Sequence, residues 1–522
     1  MYATLIMIIY WMTETLPLPV TSLLPVVLFP LLGILGTDET CQMYMKQTIM
    51  MFMGGIIMAL AIEYCNLHKR IALRVIVSVG CSQRSLNFGL LLVTMFVSMW
   101  ISNTATVAMM CPVVKAVLEE LEEQGLCQMF VQGVDSIVLP KNHTNEHIKP
   151  SNITICYYMG IAYAASIGGC GSLFGSGTNL AFKEIYESHF PNEGFVDFPR
   201  FMIFNVPGML LGMFLIWVYL QVVYMGMFRP NSSAAKNSQI SLEGQVIARS
   251  VIVARYEELG PMSSHEISVA VLFVLSIGVF STRQPGFVTG WADLLSEVKI
   301  HDASPTVLFV ILLFLLPDNW KWLNYFRKQS SGKGNVIKLP SNPTPGLISW
   351  EYIAEKTPWS LIFMLGGGFA LAEGARVSGM TTMISESLTS LKDLPLLLVL
   401  LLACSIAEVL TEFASNIAVS SVLLPILAEM SLAFEIHPMY LMLPSAIAIS
   451  HAFILPVGTP AIAIVSGMGH IGMKDLLKAG LGAKIIALLI LWIAFPLWGP
   501  CVYSEIEIFP EWAILLTNSS VV

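Results

Sequence analysis

The sequence predicts an all-α polytopic membrane protein made of two copies of one unit, each with a hairpin turning at a polar tip and a helix broken in its middle. Three observations carry this. Of 522 residues, 55% are hydrophobic and 12% charged, and mean hydropathy is +0.73, too apolar for a soluble chain of this length. Ser102-Asn103-Thr104-Ala105-Thr106 lies inside an apolar run and returns 313 positions later as Ser415-Asn416-Ile417-Ala418-Val419. Each copy has a proline ten residues after its serine, Pro112 and Pro425, and a glycine pair before it, Gly54-Gly55 and Gly367-Gly368.

In chain order, the first apolar block, Thr4 to Leu35, is interrupted by Glu14, Pro17, Pro19, Pro25 and Pro30. It reads as two short spans or one bent one, with Glu14 at a helix end. Met50 to Ile62 makes the next span and leads to His68-Lys69-Arg70, a basic cluster that favours the cytoplasmic side. Leu86 to Leu118 is too long for one simple span. It is predicted to enter the membrane and turn back at the tip 102–106, which is allowed where protein or water covers the freed backbone groups. A solvated insert is predicted over Glu119 to Pro150.

Tyr157 to Leu180 carries glycine at 168, 169, 171, 175 and 177, a density that breaks a helix and lets backbone approach an ion or ligand; a break is predicted over 168–179. The competing reading is tight helix packing through small residues. After a span at Phe204 to Met225, the polar stretch 229–264, with Arg229, Lys236, Arg249 and Arg255, reads as a cytoplasmic linker. It divides a first half at 1–228 from a second at 265–522, and Lys321 to Lys338 should share its side.

Trp359 to Leu371 opens the second copy. Leu396 to Met430 holds Thr411-Glu412 and the second tip, 415–419, and Pro438 to Met468 is interrupted at 456–460. That interruption is the counterpart of the first break, with Thr178 matched to Thr459 once the insert is set aside. The tail after Lys484 lacks basic residues and ends in a sequon at Asn518, which predicts a glycosylated, extracellular carboxyl end. Sequons at Asn142, Asn152 and Asn231 are discounted as cytoplasmic.

Duplicated halves with interrupted helices are the pattern of secondary transporters, whose broken helix ends offer backbone charge to ions and anions. Neither tip contains Lys or Arg. A multiply charged anion taken into a low-dielectric midplane is costly without accompanying positive charge, and sodium held by carbonyl, amide and hydroxyl oxygens would supply it. Sodium becomes an obligatory co-substrate.

Other classes fit less well. No nucleic-acid surface is suggested, and nine scattered cysteines without a C-x-x-C pair indicate neither a zinc site nor a disulfide framework. An enzyme is disfavoured, because Glu14, Glu373 and Glu412 have no paired partner at a catalytic spacing and no metal motif accompanies His451. No organic cofactor is expected.

Trp11-Met12-Thr13-Glu14-Thr15-Leu16-Pro17, Asn66 to Leu73, Trp100 to Thr106, Gly366 to Ala372 and Asn416 with its flanks resemble the divalent anion:sodium symporters, the family of animal sodium/dicarboxylate, sodium/citrate and sodium/sulfate cotransporters. The resemblance covers nearly the whole chain. It implies an inverted-repeat fold, usually a homodimer in the plasma membrane, in which a transport domain moves against a scaffold. One sodium site would be built by Ser102, Asn103 and Gly175 to Gly177, and the other by Thr411, Ala414, Asn416 and Gly458. Thr104, Ser415, Ile417, Thr459 and Pro460 would line the anion pocket, with Asn103 and Asn416 also facing the substrate beside Ser102.

Within the family, Thr459 and a first tip reading Ser-Asn-Thr-Ala-Thr go with carriers of di- and tricarboxylates. Sulfate is the alternative substrate, and a non-transporting receptor or sensor the alternative class. The chain departs from the carboxylate carriers by starting one span late, by Ala461-Ile462 where they have Pro-Asn, by Val419 where they have Thr, and by Thr178-Asn179 where they have Pro-Asn. The asparagine missing at Ile462 and the hydroxyl missing at Val419 bear on the second sodium site.

Overall fold

The computed structural model describes residues 1–79, 82–123, 127–132, 148–190, 196–229, 231–232, 250, 253–254, 256–283, 290–296, 298, 300–320, 344–387, 392–510 and 512–513. Asn142, Asn518, Lys236, Arg249, Arg255 and the stretch Lys321 to Lys338 lie outside the described residues, as does most of the linker 229–264.

The amino-terminal block forms α1 (Tyr2–Thr13), α2 (Leu18–Thr21) and α3 (Leu24–Leu31), followed by α4 (Thr37–Gln42). Glu14 ends α1 in the left-handed region, φ 48°, so the helix-end reading of Glu14 holds. Next come α5 (Gln47–Tyr64), α6 (Leu67–Val79), α7 (Gln83–Ser98), α8 (Asn103–Glu123), α9 (Asn152–Gly169), α10 (Gly177–His189) and α11 (Phe198–Tyr224). Then α12 (Ser264–Thr282), α13 (Trp291–Leu295), α14 (Ala303–Leu315) and α15 (Trp350–Lys356) lead to α16 (Trp359–Val377), α17 (Met380–Ser387), α18 (Leu396–Phe413), α19 (Asn416–Ala433), α20 (Pro438–Ile449), α21 (Pro460–Gly469) and α22 (Met473–Val502). The series α5 to α11 and α16 to α22 run in parallel, hairpin for hairpin and break for break.

Local chemistry sets these boundaries. Ser151 caps α9 by accepting from the Thr154 amide, and Ser263 and Glu266 form a reciprocal capping box on α12. The repeated proline falls inside α8 as Pro112 and inside α19 as Pro425, where its ring removes a backbone hydrogen bond at the same place in each half.

Several expectations shift. The helix α8 continues to Glu123, so the insert starts later than Glu119, and it contains two short antiparallel strands, β1 (Phe130–Gln132) and β2 (Ile148–Pro150). The cluster His68-Lys69-Arg70 lies in the first turns of α6. His68 Nδ1 lies 3.1 Å from Ile62 O, while Arg70 pairs with Glu266 at 3.1 Å and donates to the carbonyls of Gly260 and Leu259. The hydroxyl of Thr154 is buried and donates to Met129 O, which takes up the threonine of the Asn152 sequon.

Among the described residues seven helical segments are long and apolar enough to cross a membrane, including α11, α12, α16, α18, α19 and α22. Their outward faces are apolar: Leu477, Leu481, Ile485, Leu489 and Ile493 on α22, and Val271, Val274 and Leu275 on α12, are exposed. Lipid is the solvent that makes such faces favourable. By contrast α9 and α20, the helices that lead into the two breaks, are buried along almost their whole length.

Candidate functional site

Each tip is closed by a hydroxyl and an amide five residues apart. In the first half Ser98 Oγ donates to Asn103 Oδ1 at 2.9 Å. In the second, Thr411 Oγ1 lies 2.5 Å from Asn416 Oδ1 and 2.6 Å from Ile449 O. The two pairs are related by the same 313-residue step as the tips. Ser98 was not singled out from sequence, although its spacing from Thr411 is the signal that would have found it.

Against each tip lies a break. The helix α9 stops at Gly169 and α10 starts after Ser176, whose hydroxyl accepts from the Thr178 amide. Glycine is required where the first tip meets this loop. A Cβ on Gly169 would stand 2.3 Å from Asn103 Oδ1, and one on Gly175 would stand 2.6 Å from Gly169 O and 3.0 Å from Met99 O. The loop is clipped by neutral side chains: Ser172 Oγ donates to Met99 O and accepts from Gly175 N, and Asn179 Nδ2 donates to Gly169 O and Ser172 O at 2.8 and 2.7 Å.

The second break runs from Ser450 to Thr459. Thr459 accepts weakly from the Ile462 amide and Pro460 occupies the first turn of α21, where its missing N–H costs nothing. A Cβ on Gly458 would stand 2.7 Å from Thr411 O and 3.2 Å from Glu412 O. The helix caps therefore match Thr459 with Ser176 and Gly458 with Gly175, two positions away from the match of Thr178 with Thr459 read from sequence. Ile462 then corresponds to Asn179.

The two halves are interlocked. The first leg of each broken helix packs on its own hairpin, α9 on α7 and α8, α20 on α18 and α19. The second leg packs on the tip helix of the other half, α10 on α19 and α21 on α8. Gly177 at the start of α10 accordingly faces Ile417 of the second tip, where a Cβ would come within 2.7 Å of Ile417 Cδ1.

Four helices start at Asn103, Gly177, Asn416 and Pro460, each directly preceded by a hydroxyl-bearing residue, Ser102, Ser176, Ser415 and Thr459. Their positive ends favour an anion. The carboxyl ends of α7, α9, α18 and α20 present carbonyls beside them, the oxygens that suit a hard cation.

Of the predicted site residues, Ser102, Asn103, Ser415, Asn416 and Ala414 stand half-buried at the tips, Thr104 is half-buried in the first turn of α8, and Gly175, Thr411, Ile417, Gly458 and Thr459 are buried. Gly177 is half-buried and Pro460 exposed. Buried oxygens of Thr106, Thr178 and Asn179 in the first half have no protein hydrogen-bond partner. The positions matching Thr106 and Asn179 in the second half are the apolar Val419 and Ile462.

Sequence reasoning also left Glu412 without a partner. The structure gives it one, because Lys484 Nζ on α22 lies 2.5 Å from Glu412 Oε1. A neighbouring pair, His451 and Glu408, lies 3.1 Å apart and is buried. Glu373 pairs within its own helix with Arg376.

Comparison with known proteins fits this arrangement. Residues 1–504 match the family described as the sodium:sulfate symporter transmembrane region. The chain belongs to the sodium:sulfate symporter family. It is 50% identical over 516 residues to "Protein I'm not dead yet" of Drosophila melanogaster, covering 98% of this chain and 86% of that protein. It is 36% identical over 547 residues to "Na(+)/dicarboxylate cotransporter 3" of Mus musculus, with 98% and 90% covered. It is 35% identical over 538 residues to "Na(+)/citrate cotransporter" of Rattus norvegicus, with 98% and 92% covered. A solved structure, Neisseria gonorrhoeae MtrF, from a class of antimetabolite efflux pumps, superposes with a TM-score of 0.50 at 14% identity over 88% of this chain and 83% of that one. That likeness concerns the fold alone. This family member is a multi-pass membrane protein of a transporter family, and its relatives are carriers rather than enzymes.

Proposed function

We propose that the protein is a sodium-coupled secondary active symporter of di- and tricarboxylates of the succinate or citrate class. It works in the plasma membrane as a homodimer, through elevator-type alternating access of an inverted-repeat fold whose tips are re-entrant. Sodium sites are formed by Ser102, Asn103, Gly175 and Gly177 in the first half and by Thr411, Ala414, Asn416 and Gly458 in the second. The anion lies between Ser102, Asn103, Thr104, Ser415, Asn416, Ile417, Thr459 and Pro460.

The observation that carries this reading is the crossed packing, in which the second leg of each broken helix lies on the tip helix of the other half and Gly177, at the start of α10, meets Ile417. A site that draws on both tips would suit a long anion with a charged group at each end, whereas sulfate needs its donors convergent on one point. The relatives named for dicarboxylate and citrate support the same class. The mechanism follows from charge. Helix starts stabilise the carboxylates, and carbonyls with the Asn103 and Asn416 amides hold sodium, so anion and cation enter the low-dielectric site together.

In oocytes expressing the full chain, succinate is expected to evoke sodium-dependent current that excess sulfate does not suppress. Sulfate uptake without competition by succinate would assign the other substrate, and no flux of any anion would favour a receptor.

A further inference from the structure

The two breaks are held by different chemistry. In the first, the neutral side chains of Asn179 and Ser172 close the loop. The position matching Asn179 in the second is Ile462, fully buried in an apolar cluster with Val465, and it has no side-chain donor or acceptor. Something else must gather the polar backbone of Phe453 to Leu455, because buried amides left unpaired are costly.

Glu412 does so. Its Oε1 accepts from Phe453 N at 3.0 Å and Ile454 N at 3.3 Å, and its Oε2 from Ile454 N at 3.2 Å and Leu455 N at 2.8 Å. Three consecutive N–H groups call for an acceptor-only group, which a carboxylate is and an amide is not. A buried carboxylate in turn needs a counter-charge. Lys484 Nζ supplies it at 2.5 Å and also donates to Glu408 O at 2.5 Å, tying α22 to α18. In the 313-residue register Glu412 corresponds to Met99, which offers the first break only its main-chain carbonyl.

We propose that Glu412 and Lys484 are the positioning pair of the second half of the transport site. The pair fixes the break that presents Gly458, Thr459 and Pro460, and it replaces the amide clip that Ile462 cannot provide. Glu412 acts on both sides at once. Its side chain holds Phe453 to Leu455, its main-chain oxygen and that of Thr411 abut Gly458, and Thr411 carries the hydroxyl beside Asn416. The proposal rests on the transport reading above.

The test uses Glu412→Gln, Lys484→Met and the double variant of the full chain. Three quantities are measured: surface amount, half-saturation for succinate and sodium in cells, and amide hydrogen exchange of the purified protein. Lys484→Met strands a buried negative charge and Glu412→Gln a buried positive one, so each single variant reaches the surface poorly. The double variant regains wild-type surface amount. It still shows half-saturations raised about tenfold, the scale of losing hydrogen bonds to a charged group, and faster exchange at 453–455 with 170–176 unchanged. A double variant with wild-type half-saturations, or unchanged exchange at 453–455, would overturn the pair's role. Wild-type protein without sodium-dependent succinate flux sinks the transport reading instead, and the exchange comparison still decides the pair.

Discussion

Gly177 and Ile417 meet so closely that a Cβ on the glycine would stand 2.7 Å from Ile417 Cδ1, which places the first half's broken helix directly against the second half's tip. The contact joins residues 240 positions apart and so holds the two halves of the chain together at this point.

The glycines at this junction differ in what they face, and their substitutions should separate accordingly. On Gly177 the obstacle is the end of an isoleucine side chain, which can rotate away. On Gly175 it is the backbone of Gly169 and Met99, which cannot. Gly175→Ala is expected to abolish transport and lower the melting temperature, since overpacking costs about 1–3 kcal/mol, while Gly177→Ala keeps part of the activity. Equal loss in both, by uptake and thermal melting, would contradict the geometry.

Asn103→Ala and Asn416→Ala are each expected to abolish transport at near-normal surface expression. Each removes an oxygen from a half-buried tip without a large packing change, and the anion needs both accompanying charges. Wild-type sodium dependence in either variant would remove the symmetric two-site reading.

Asp302 accepts from Lys183 of α10 at 2.8 Å and forms an ion pair with Arg283, just after α12, whose Nε lies 2.7 Å away, all three side chains being buried. Asp302→Ala would remove the buried counter-charge of Arg283 and leave Lys183 only Glu187, 3.6 Å away, a loss of about 3–5 kcal/mol. Thermal melting in detergent should show a large drop, and a melting temperature equal to wild type would refute this account.

The topology read from charge places Lys69 inside and Asn518 outside. Deleting each sequon in turn should remove glycan only with Asn518; loss of glycan on deleting Asn142 or Asn152 would invert the orientation.

The sequence by itself determined the class, the repeat and the polar tips, because these follow from local chemistry. Lipid requires apolar length, a glycine-dense or Pro-Val-Gly-Thr-Pro segment cannot continue a helix, and a duplicated Ser-Asn motif repeats at fixed spacing. Only the tertiary structure decided which half each helix packs on. Nothing in the sequence of α10 says that it lies on α19, because the crossed arrangement is fixed by side chains far apart in the chain. The same limit hid Ser98, which looks like any hydroxyl in an apolar helix until Asn103 folds back on it. It also hid Lys484, 72 residues from Glu412. A buried charge finds its counter-charge in space, and sequence distance carries no information about that distance.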